Sequence, residues 1–343
     1  MRGIVYHEIF NKYDLGADHP LIGERPRLAM ELFKERGILR EFSVMPPLPA
    51  EEEHLLLVHG REYVDRVKKL SVTGGMLAID TPAPPGIYDY ARWAVGGSMY
   101  AGRKLFEGYD LMLNPLGGFH HASRNSSSGF CFFNDIAVTI EYLRNLYDLN
   151  RIVIIDLDVH HANGTEEIYS SDPGVLNLSF HQDGRTLYPG TGDLEFIGVG
   201  EGMGYTVNLP LPPGTGGEAY LYAVKEIIPP LVREFKPQLI IYQAGVDTHH
   251  LDPLADLKLS YQTYYSLGRI IGDVSSTCNK LLVLFGGGYN STASVKSSYN
   301  IVCGLMGYND YFTEEDRFSM VNIDTVKSLV SRLKEILSSY WTL

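Results

Sequence analysis

Short apolar runs alternate with longer segments of helical period, and this alternation constrains the fold more than any other feature of the chain. The runs are rich in β-branched residues and lie at 3–6, 111–113, 152–155, 175–178, 239–242 and 281–285. Continuous apolar runs of this length are typical of strands buried on both faces, as in a parallel sheet. The alternation therefore predicts an α/β fold, a single-domain three-layer sandwich with a central, mostly parallel sheet and helices on both faces.

The segments between the runs carry helix signals. One follows Asn134, a good N-cap, and places apolar residues on one face. Another extends from about 218 to 235 and contains Pro229 and Pro230. Because proline lacks the N–H that a helix interior needs, we expect these two residues to kink or break that helix.

Composition narrows the class of protein. The net charge of −12 over 343 residues argues against direct nucleic-acid binding and leaves basic, lysine-bearing partners open. The three cysteines form no CxxC pair, which favours a reducing compartment. No stretch approaches the length of a membrane span. We therefore expect one cytoplasmic domain over 1–343 that binds neither nucleic acid nor membrane; its oligomeric state stays open.

Polar residues follow the predicted strands at the points where the strands end. In open α/β sheets the functional site lies beyond the carboxyl ends of the strands. A lone histidine is usually structural, but several polar groups that all follow strands are hard to explain by packing. The residues in these positions are His120, His121, His160, His161, His181, Asp247 and Tyr289.

The segment 156–160 carries the strongest chemical signal. In an extended chain, Asp156, Asp158 and His160 would share one face. Two carboxylates and an imidazole at the end of a buried strand require a cation, either a divalent metal or a buried Arg or Lys. Nitrogen and oxygen ligands suit zinc, although iron also fits. Asp247 is the natural third ligand, unless it caps a helix, and three ligands leave a position open for water.

The remaining polar residues supply acid–base and electrophilic chemistry. A histidine of the pair His120 and His121 can take a proton from metal-bound water and then protonate a leaving amine. The hydroxyl of Tyr289 can donate to a carbonyl oxygen as it becomes an oxyanion. Taken alone, Tyr289 is equally well explained as a buried aromatic residue.

These residues resemble the histone deacetylase and acetoin-utilisation deacetylase superfamily, of arginase-like fold. The resemblance extends from about 13 to 310. It is carried by DHP at 18–20, ERPR at 24–27, DTP at 80–82, GGFHHA at 117–122, SGFC at 128–131, DLDVHH at 156–161, YPGTG at 188–192, QAGVD at 243–247 and GGGYN at 286–290.

The resemblance implies a role for each matching residue. Zinc would be held by Asp158, His160 and Asp247. His121 would be the general base and then acid, with His120 beside it paired to Asp156, and Tyr289 would polarise the acetyl carbonyl. The implied substrate-binding residues are Asp80, Phe119, Gly129, Phe130 and Tyr188. A structural K⁺ or Na⁺ would be bound by Asp156, Asp158, His160, Ser179 and Phe180, and Arg27 would line an acetate exit channel.

The chain departs from the family pattern at three positions. Asn163 stands where many members have an aspartate partner for the second histidine, and a neutral partner raises the basicity of His121 less. Phe119 replaces a larger tryptophan of some members. Leu254 aligns with the glutamate gate of polyamine-selective members and would form an apolar rim.

The sequence therefore predicts a zinc-dependent deacetylase that hydrolyses the acetyl amide of acetyl-lysine in a protein or peptide. Three alternatives remain. One is an amidohydrolase of the same fold that acts on acetylpolyamines or other small amides. A manganese ureohydrolase would need more bridging carboxylates than the sequence offers. A non-catalytic binder of acetyl-lysine would not need the complete set of catalytic residue types.

Overall fold

The computed structural model of the protein describes residues 1–315 and 319–343, which form two compact units. The first unit contains 1–150, 162–168 and 280–286; the second contains 151–161, 169–279 and 287–343. The strands are β1 (Arg2–Val5), β2 (Ser43–Met45), β3 (Met76–Ala78), β4 (Thr81–Pro82), β5 (Leu111–Asn114), β6 (Ile152–Asp156), β7 (Val175–Gln182), β8 (Thr206–Leu211), β9 (Leu239–Gln243) and β10 (Leu281–Leu284). The α-helices are α1 (Arg25–Glu35), α2 (Glu52–Leu55), α3 (Arg61–Thr73), α4 (Ile87–Phe106), α5 (Asp135–Leu146), α6 (Asn163–Tyr169), α7 (Gly217–Phe235), α8 (Tyr261–Ser275), α9 (Ser291–Met306) and α10 (Ile323–Leu337).

The first unit contains four parallel strands in the order β2, β1, β5 and β10. Every residue of β5 and β10 is buried, which requires cover on both faces. Helices α4 and α5 of this unit pack against each other, and α4 also contacts β5. A separate antiparallel pair, β3 and β4, forms a hairpin whose turn contains Asp80.

The second unit contains four parallel strands in the order β9, β6, β7 and β8. Every residue of β6, β7 and β9 is buried. Asp156, the last residue of β6, is in register with Gln243 at the end of β9 and with Ser179 in β7. This register brings together the segments that follow β6 and β9, which carry the predicted metal ligands.

All six predicted apolar runs are strands, so the alternation is confirmed. The prediction for Pro229 and Pro230 is wrong as to a break, because α7 continues through both residues. Both prolines lie on the half-exposed side of the helix, where water can solvate the carbonyls that lose their partners. Strand β8 escaped prediction because it contains Pro210 and ends the strand order of its unit. Among the described residues, no helix combines the length and the apolar character that crossing a membrane requires.

Candidate active site

Asp158, His160 and Asp247 form a buried group in the second unit, just beyond the ends of β6 and β9. One potential ligand atom of each residue lies within 4.8 Å of the others. His160 Nδ1 lies 3.1 Å from Asp158 Oδ1 and 3.1 Å from Asp247 Oδ2. Burial lowers the pKa of His160, but the two carboxylates outweigh it and raise that pKa to about 10. The group therefore requires a positive charge at this position, either a proton or a metal ion.

The two carboxylates are oriented by donors from neighbouring segments. Asp247 Oδ1 accepts from the Val159 N–H at 2.8 Å. Asp158 Oδ2 accepts from the Gly287 N–H at 2.9 Å and from Gln243 Nε2 at 3.0 Å. A Cβ on Gly287 would lie 2.0 Å from Asp247 Oδ2, so only glycine leaves this space free. An imidazole and two carboxylates with an open position form the ligand set of a catalytic metal ion, and the residues present fit one.

Two tyrosine rings flank His160 in the second unit. The ring centroids of Tyr188 and Tyr289 lie 6.3 Å and 6.4 Å from that of His160. The backbone N–H of Tyr289 donates to Asp252 Oδ2 at 2.7 Å, and the N–H of Leu254 donates to Oδ1 of the same carboxylate at 3.0 Å. Asp252 therefore holds the backbone of the predicted electrophilic tyrosine and of the predicted rim residue.

The residues predicted to bind a monovalent cation lie on adjacent strands of the second unit. Asp156 and Ser179 are paired in register and fully buried. Asp156 Oδ1 accepts from the Asp158 N–H at 3.2 Å, and Phe180 follows Ser179 on β7. The cation site itself, and the pairing of Asp156 with a histidine, remain predictions.

The first unit holds the predicted acid–base pair, His120 and His121, both of which are buried. His121 Nδ1 lies 2.6 Å from Asn163 Oδ1. Because the amide oxygen only accepts, His121 donates from Nδ1, which leaves Nε2 to bind a proton. His120 Nε2 lies 3.1 Å from that atom. His121 therefore has the tautomer that a general base needs.

The predicted substrate-binding residues of the first unit are Asp80, Phe119, Gly129 and Phe130. Gly129 has a φ of 52°, and a Cβ there would lie 2.0 Å from His121 Cδ2. Phe119 is buried with its ring centroid 4.7 Å from that of Tyr13. Asp80 contacts Gly129 through its carboxylate. The substrate channel that these residues would line remains a prediction.

Residues 19–305 match the family model of the histone deacetylase domain. This chain belongs to the histone deacetylase family. A probable deacetylase of Archaeoglobus fulgidus is 37% identical over 90% of this chain and 87% of its own length. A histone deacetylase-like amidohydrolase of Pseudomonas aeruginosa is 35% identical over 84% and 76%, and the acetoin utilization protein AcuC of Bacillus subtilis is 33% identical over 83% and 76%.

A solved structure, the HD domain of HDA15, matches 99% of this chain and 95% of its own chain, with a TM-score of 0.86 and 26% identity. This match confirms the predicted fold class, an α/β domain with a central, mostly parallel sheet and helices. Membership of the histone deacetylase family confirms the predicted family and enzyme class, a deacetylase that hydrolyses amides. That the chain forms a single domain over 1–343 remains a prediction.

Arg27, the predicted exit-channel residue, is partly exposed and forms ion pairs with Glu24 and Glu31. Nothing in these contacts supports its predicted role. Arg25, at the start of the same helix, instead donates from Nη2 to the Phe285 carbonyl at 3.0 Å, next to the glycines that precede Tyr289 in sequence. The role of Arg27 in an exit channel remains a prediction.

A second group with metal-ligand atoms consists of His249, His250 and Glu314. His249 Nδ1 accepts from the Leu251 N–H at 3.2 Å, so its neutral ring carries the proton on Nε2. That Nε2 faces Glu314 Oε1 at 3.0 Å and has no lone pair for a metal. Burial lowers the pKa of His249 to about 3, in keeping with a neutral ring. This group is therefore better described as two histidines in polar contact with Glu314 than as a metal site.

Three supporting residues were missed by sequence reasoning, and each orients a functional segment. Gln243 donates to Asp158, and Asp252 accepts from Tyr289. Asp135 accepts from the Phe119 N–H at 2.7 Å, in the turn that precedes the histidine pair. The sequence did contain a signal for two of them. Gln243 is a polar residue at the end of an apolar run, and Asp135 follows the helix cap Asn134.

Replacing Asn163 by aspartate is expected to move the acidic limb of the kcat/KM profile to higher pH. A carboxylate beside His121 Nδ1 favours the imidazolium and would raise the pKa of His121. Because the base must be neutral, activity near pH 7 should fall and recover at higher pH. Profiles of kcat/KM against pH test this, with Asn163→Ala as the uncharged control, which should not move the limb upward. An unchanged limb in Asn163→Asp would exclude His121 as the base that the profile reports.

Proposed function

We propose that this protein is a zinc-dependent deacetylase that hydrolyses the acetyl amide of acetyl-lysine in a protein or peptide. The observation that carries the proposal is the buried group Asp158, His160 and Asp247, whose donor set suits a catalytic metal. The imidazole and carboxylate ligands of this group favour zinc, and Fe²⁺ is the alternative. The bound ion would supply a Lewis acid and lower the pKa of its water.

The chain's own residues account for the remaining chemistry. His121 would take a proton at Nε2 and return it to the departing amine, while Asn163 keeps its ring oriented. Tyr289 would donate its hydroxyl proton in a hydrogen bond to the carbonyl oxygen as negative charge develops there. Asp252 supports that role because it holds the Tyr289 backbone. We further propose K⁺ or Na⁺ as a structural ion at Asp156 and Ser179.

The proposed substrate follows from membership of the histone deacetylase family and from Leu254, the residue predicted at the rim of the substrate channel. Leu254 is half-buried and apolar where a free polyamine would need a carboxylate, which favours acetyl-lysine over acetylpolyamines. The relatives named for acetoin utilization and as an amidohydrolase keep other small amides as the second candidate. Three free cysteines, two of them buried, support the cytoplasm as the proposed compartment.

Chelation is expected to abolish acetate release from an acetyl-lysine peptide, and added zinc should restore it. Acetate is measured on the untreated protein, on the chelated protein, and after separate additions of zinc and Fe²⁺. Acetylspermidine serves as the competing substrate at equal concentration. Activity that survives complete metal removal would contradict the proposal. Faster turnover of acetylspermidine than of the peptide would favour the alternative, an amidohydrolase that acts on small amides.

A further inference from the structure

The N–H and carbonyl groups of Gly129 and Phe130, here called the 129–130 turn, all form hydrogen bonds with side chains. The Gly129 N–H donates to Asp80 Oδ2 at 3.0 Å, and the Phe130 N–H donates to Thr81 Oγ1 at 3.1 Å. The Gly129 carbonyl accepts from Cys131 Sγ at 3.1 Å, and the Phe130 carbonyl accepts from the Tyr13 hydroxyl at 2.7 Å. The Cys131 N–H closes the turn by donating to the Ser128 carbonyl at 2.9 Å, and the side chains of Asp80, Thr81 and Tyr13 connect the turn to other segments of the unit.

The backbone of this turn is unfavourable on its own. Gly129 and Phe130 have φ values of 52° and 68°, and a left-handed conformation is unusual for a phenylalanine. Such conformations persist where the surroundings determine them, and they occur often at functional sites. Here the strained turn packs against the imidazole of His121, the predicted base. Displacing the turn would therefore change both the Phe130 ring and the space beside His121.

Thr81 is the central support of the 129–130 turn. Its hydroxyl accepts from the Phe130 N–H and donates to Asp80 Oδ1 at 2.8 Å, while Asp80 Oδ2 binds the Gly129 N–H. One fully buried hydroxyl thus connects both N–H groups of the turn to the β3–β4 hairpin. Only a residue that both donates and accepts can occupy this position, which restricts it to serine or threonine among side chains of similar size.

His19 holds the same hairpin from the other side. Its Nδ1 accepts from the Leu21 N–H at 3.1 Å, so Nε2 carries the proton and donates to the Asp80 carbonyl at 3.2 Å. The His19 ring also contacts the Phe130 ring edge-to-face, with 4.4 Å between centroids. The hairpin and the Phe130 ring are therefore connected through the backbone and through the side chains.

We infer that Thr81 is a positioning residue, which holds the 129–130 turn against His121 and thereby sets the place of the Phe130 ring beside the lysine stem of the substrate. The part of this inference that concerns the substrate rests on the proposed function. Thr81 need not touch the substrate, and Asp80 keeps free lone pairs on both oxygens for a contact at the rim.

The test uses Thr81→Val, which keeps the shape and removes both hydrogen bonds, and Thr81→Ser, which keeps the hydroxyl. Thr139→Val is the matched control, because the Thr139 hydroxyl is equally buried and has no hydrogen-bond partner among the described residues. In Thr81→Val the KM for an acetyl-lysine peptide is expected to rise about tenfold, with a smaller change in kcat, because the Phe130 N–H loses its acceptor. Thr81→Ser and Thr139→Val should stay within about twofold of the parent.

Amide hydrogen exchange of Gly129 and Phe130 is measured on the same variants and needs no turnover. Faster exchange at these two amides in Thr81→Val, with the parent rate in Thr139→Val, is the expected result. Parent-like exchange in Thr81→Val would overturn the inference, as would a KM unchanged in Thr81→Val or changed equally in Thr81→Ser. If the parent protein released no acetate while Thr81→Val still exchanged faster, the proposed function would fail and the positioning of the turn would stand.

Discussion

Replacing His121 by alanine is expected to lower kcat/KM for an acetyl-lysine peptide by about 10²–10⁴-fold. This is the usual cost of losing a general acid–base group, and here one residue would serve in both directions of proton transfer. The hydrogen bond to Asn163 leaves Nε2 of His121 as the reacting atom, and His120 lies too close to that atom to be independent of it. The loss should appear in kcat as well as in kcat/KM, because proton transfer belongs to the chemical step.

Two controls separate this loss from misfolding and from metal loss. His54→Ala removes a histidine of the same unit whose ring contacts Tyr142, and its kcat/KM should stay within about twofold of the parent. Metal content per chain should be equal in His121→Ala and the parent, since the predicted ligands are untouched. Near-parental turnover in His121→Ala would show that the base is another group, and His120→Ala would then be the next variant to measure.

The grouping of Asp158, His160 and Asp247, the predicted metal ligands, was predictable from the sequence, although the physical reason was incomplete. An extended chain over 156–160 predicts that Asp158 and His160 share a face, but β6 ends at Asp156 and the ligands lie in the loop beyond it. They face each other because Asp158 Oδ1 accepts the His160 N–H at 3.0 Å, a local turn that replaces strand geometry. Asp158 and His160 therefore lie on the same side, as the sequence predicts, but a local turn places them there and not an extended strand.

The supports of the 129–130 turn could not be predicted from sequence. Tyr13 is separated from Phe130 by 117 positions, and Thr81 by 49, so no local pattern connects them. A left-handed phenylalanine has no sequence signature, because phenylalanine rarely adopts that conformation. Periodicity predicts buried strands well, since burial on both faces requires apolar residues throughout. Periodicity predicts tertiary hydrogen bonds poorly, because a single threonine or tyrosine can form them and one residue leaves no repeating pattern.

Metal binding to the metal-free protein is expected to release between one and two protons per ion at neutral pH, and its apparent affinity should rise at least tenfold per pH unit. Burial and the charge of Asp158 raise the pKa of Asp247 to about 7, so this carboxyl is partly protonated at neutral pH. Burial lowers the pKa of His160, but Asp158 and Asp247 outweigh it and raise that pKa to about 10, so the ring is protonated at pH 7. A metal must displace that proton, because only the neutral imidazole is a ligand. Affinity therefore increases as pH rises toward 10 and would level off above it. Titration calorimetry in two buffers of different ionisation enthalpy at one pH counts the released protons.

Asp247→Ala should abolish this binding, whereas Asp256→Ala, which removes an exposed aspartate of the same unit, should leave it intact. In the parent, metal at about a thousand times its Kd should stabilise the fold by about 4 kcal/mol, seen as a rise in Tm that Asp247→Ala lacks. Asp158→Asn provides a second variant of nearly unchanged volume in case Asp247→Ala folds poorly. A parent protein that binds metal without releasing protons would show that His160 is already neutral in the metal-free protein, and this would contradict the prediction.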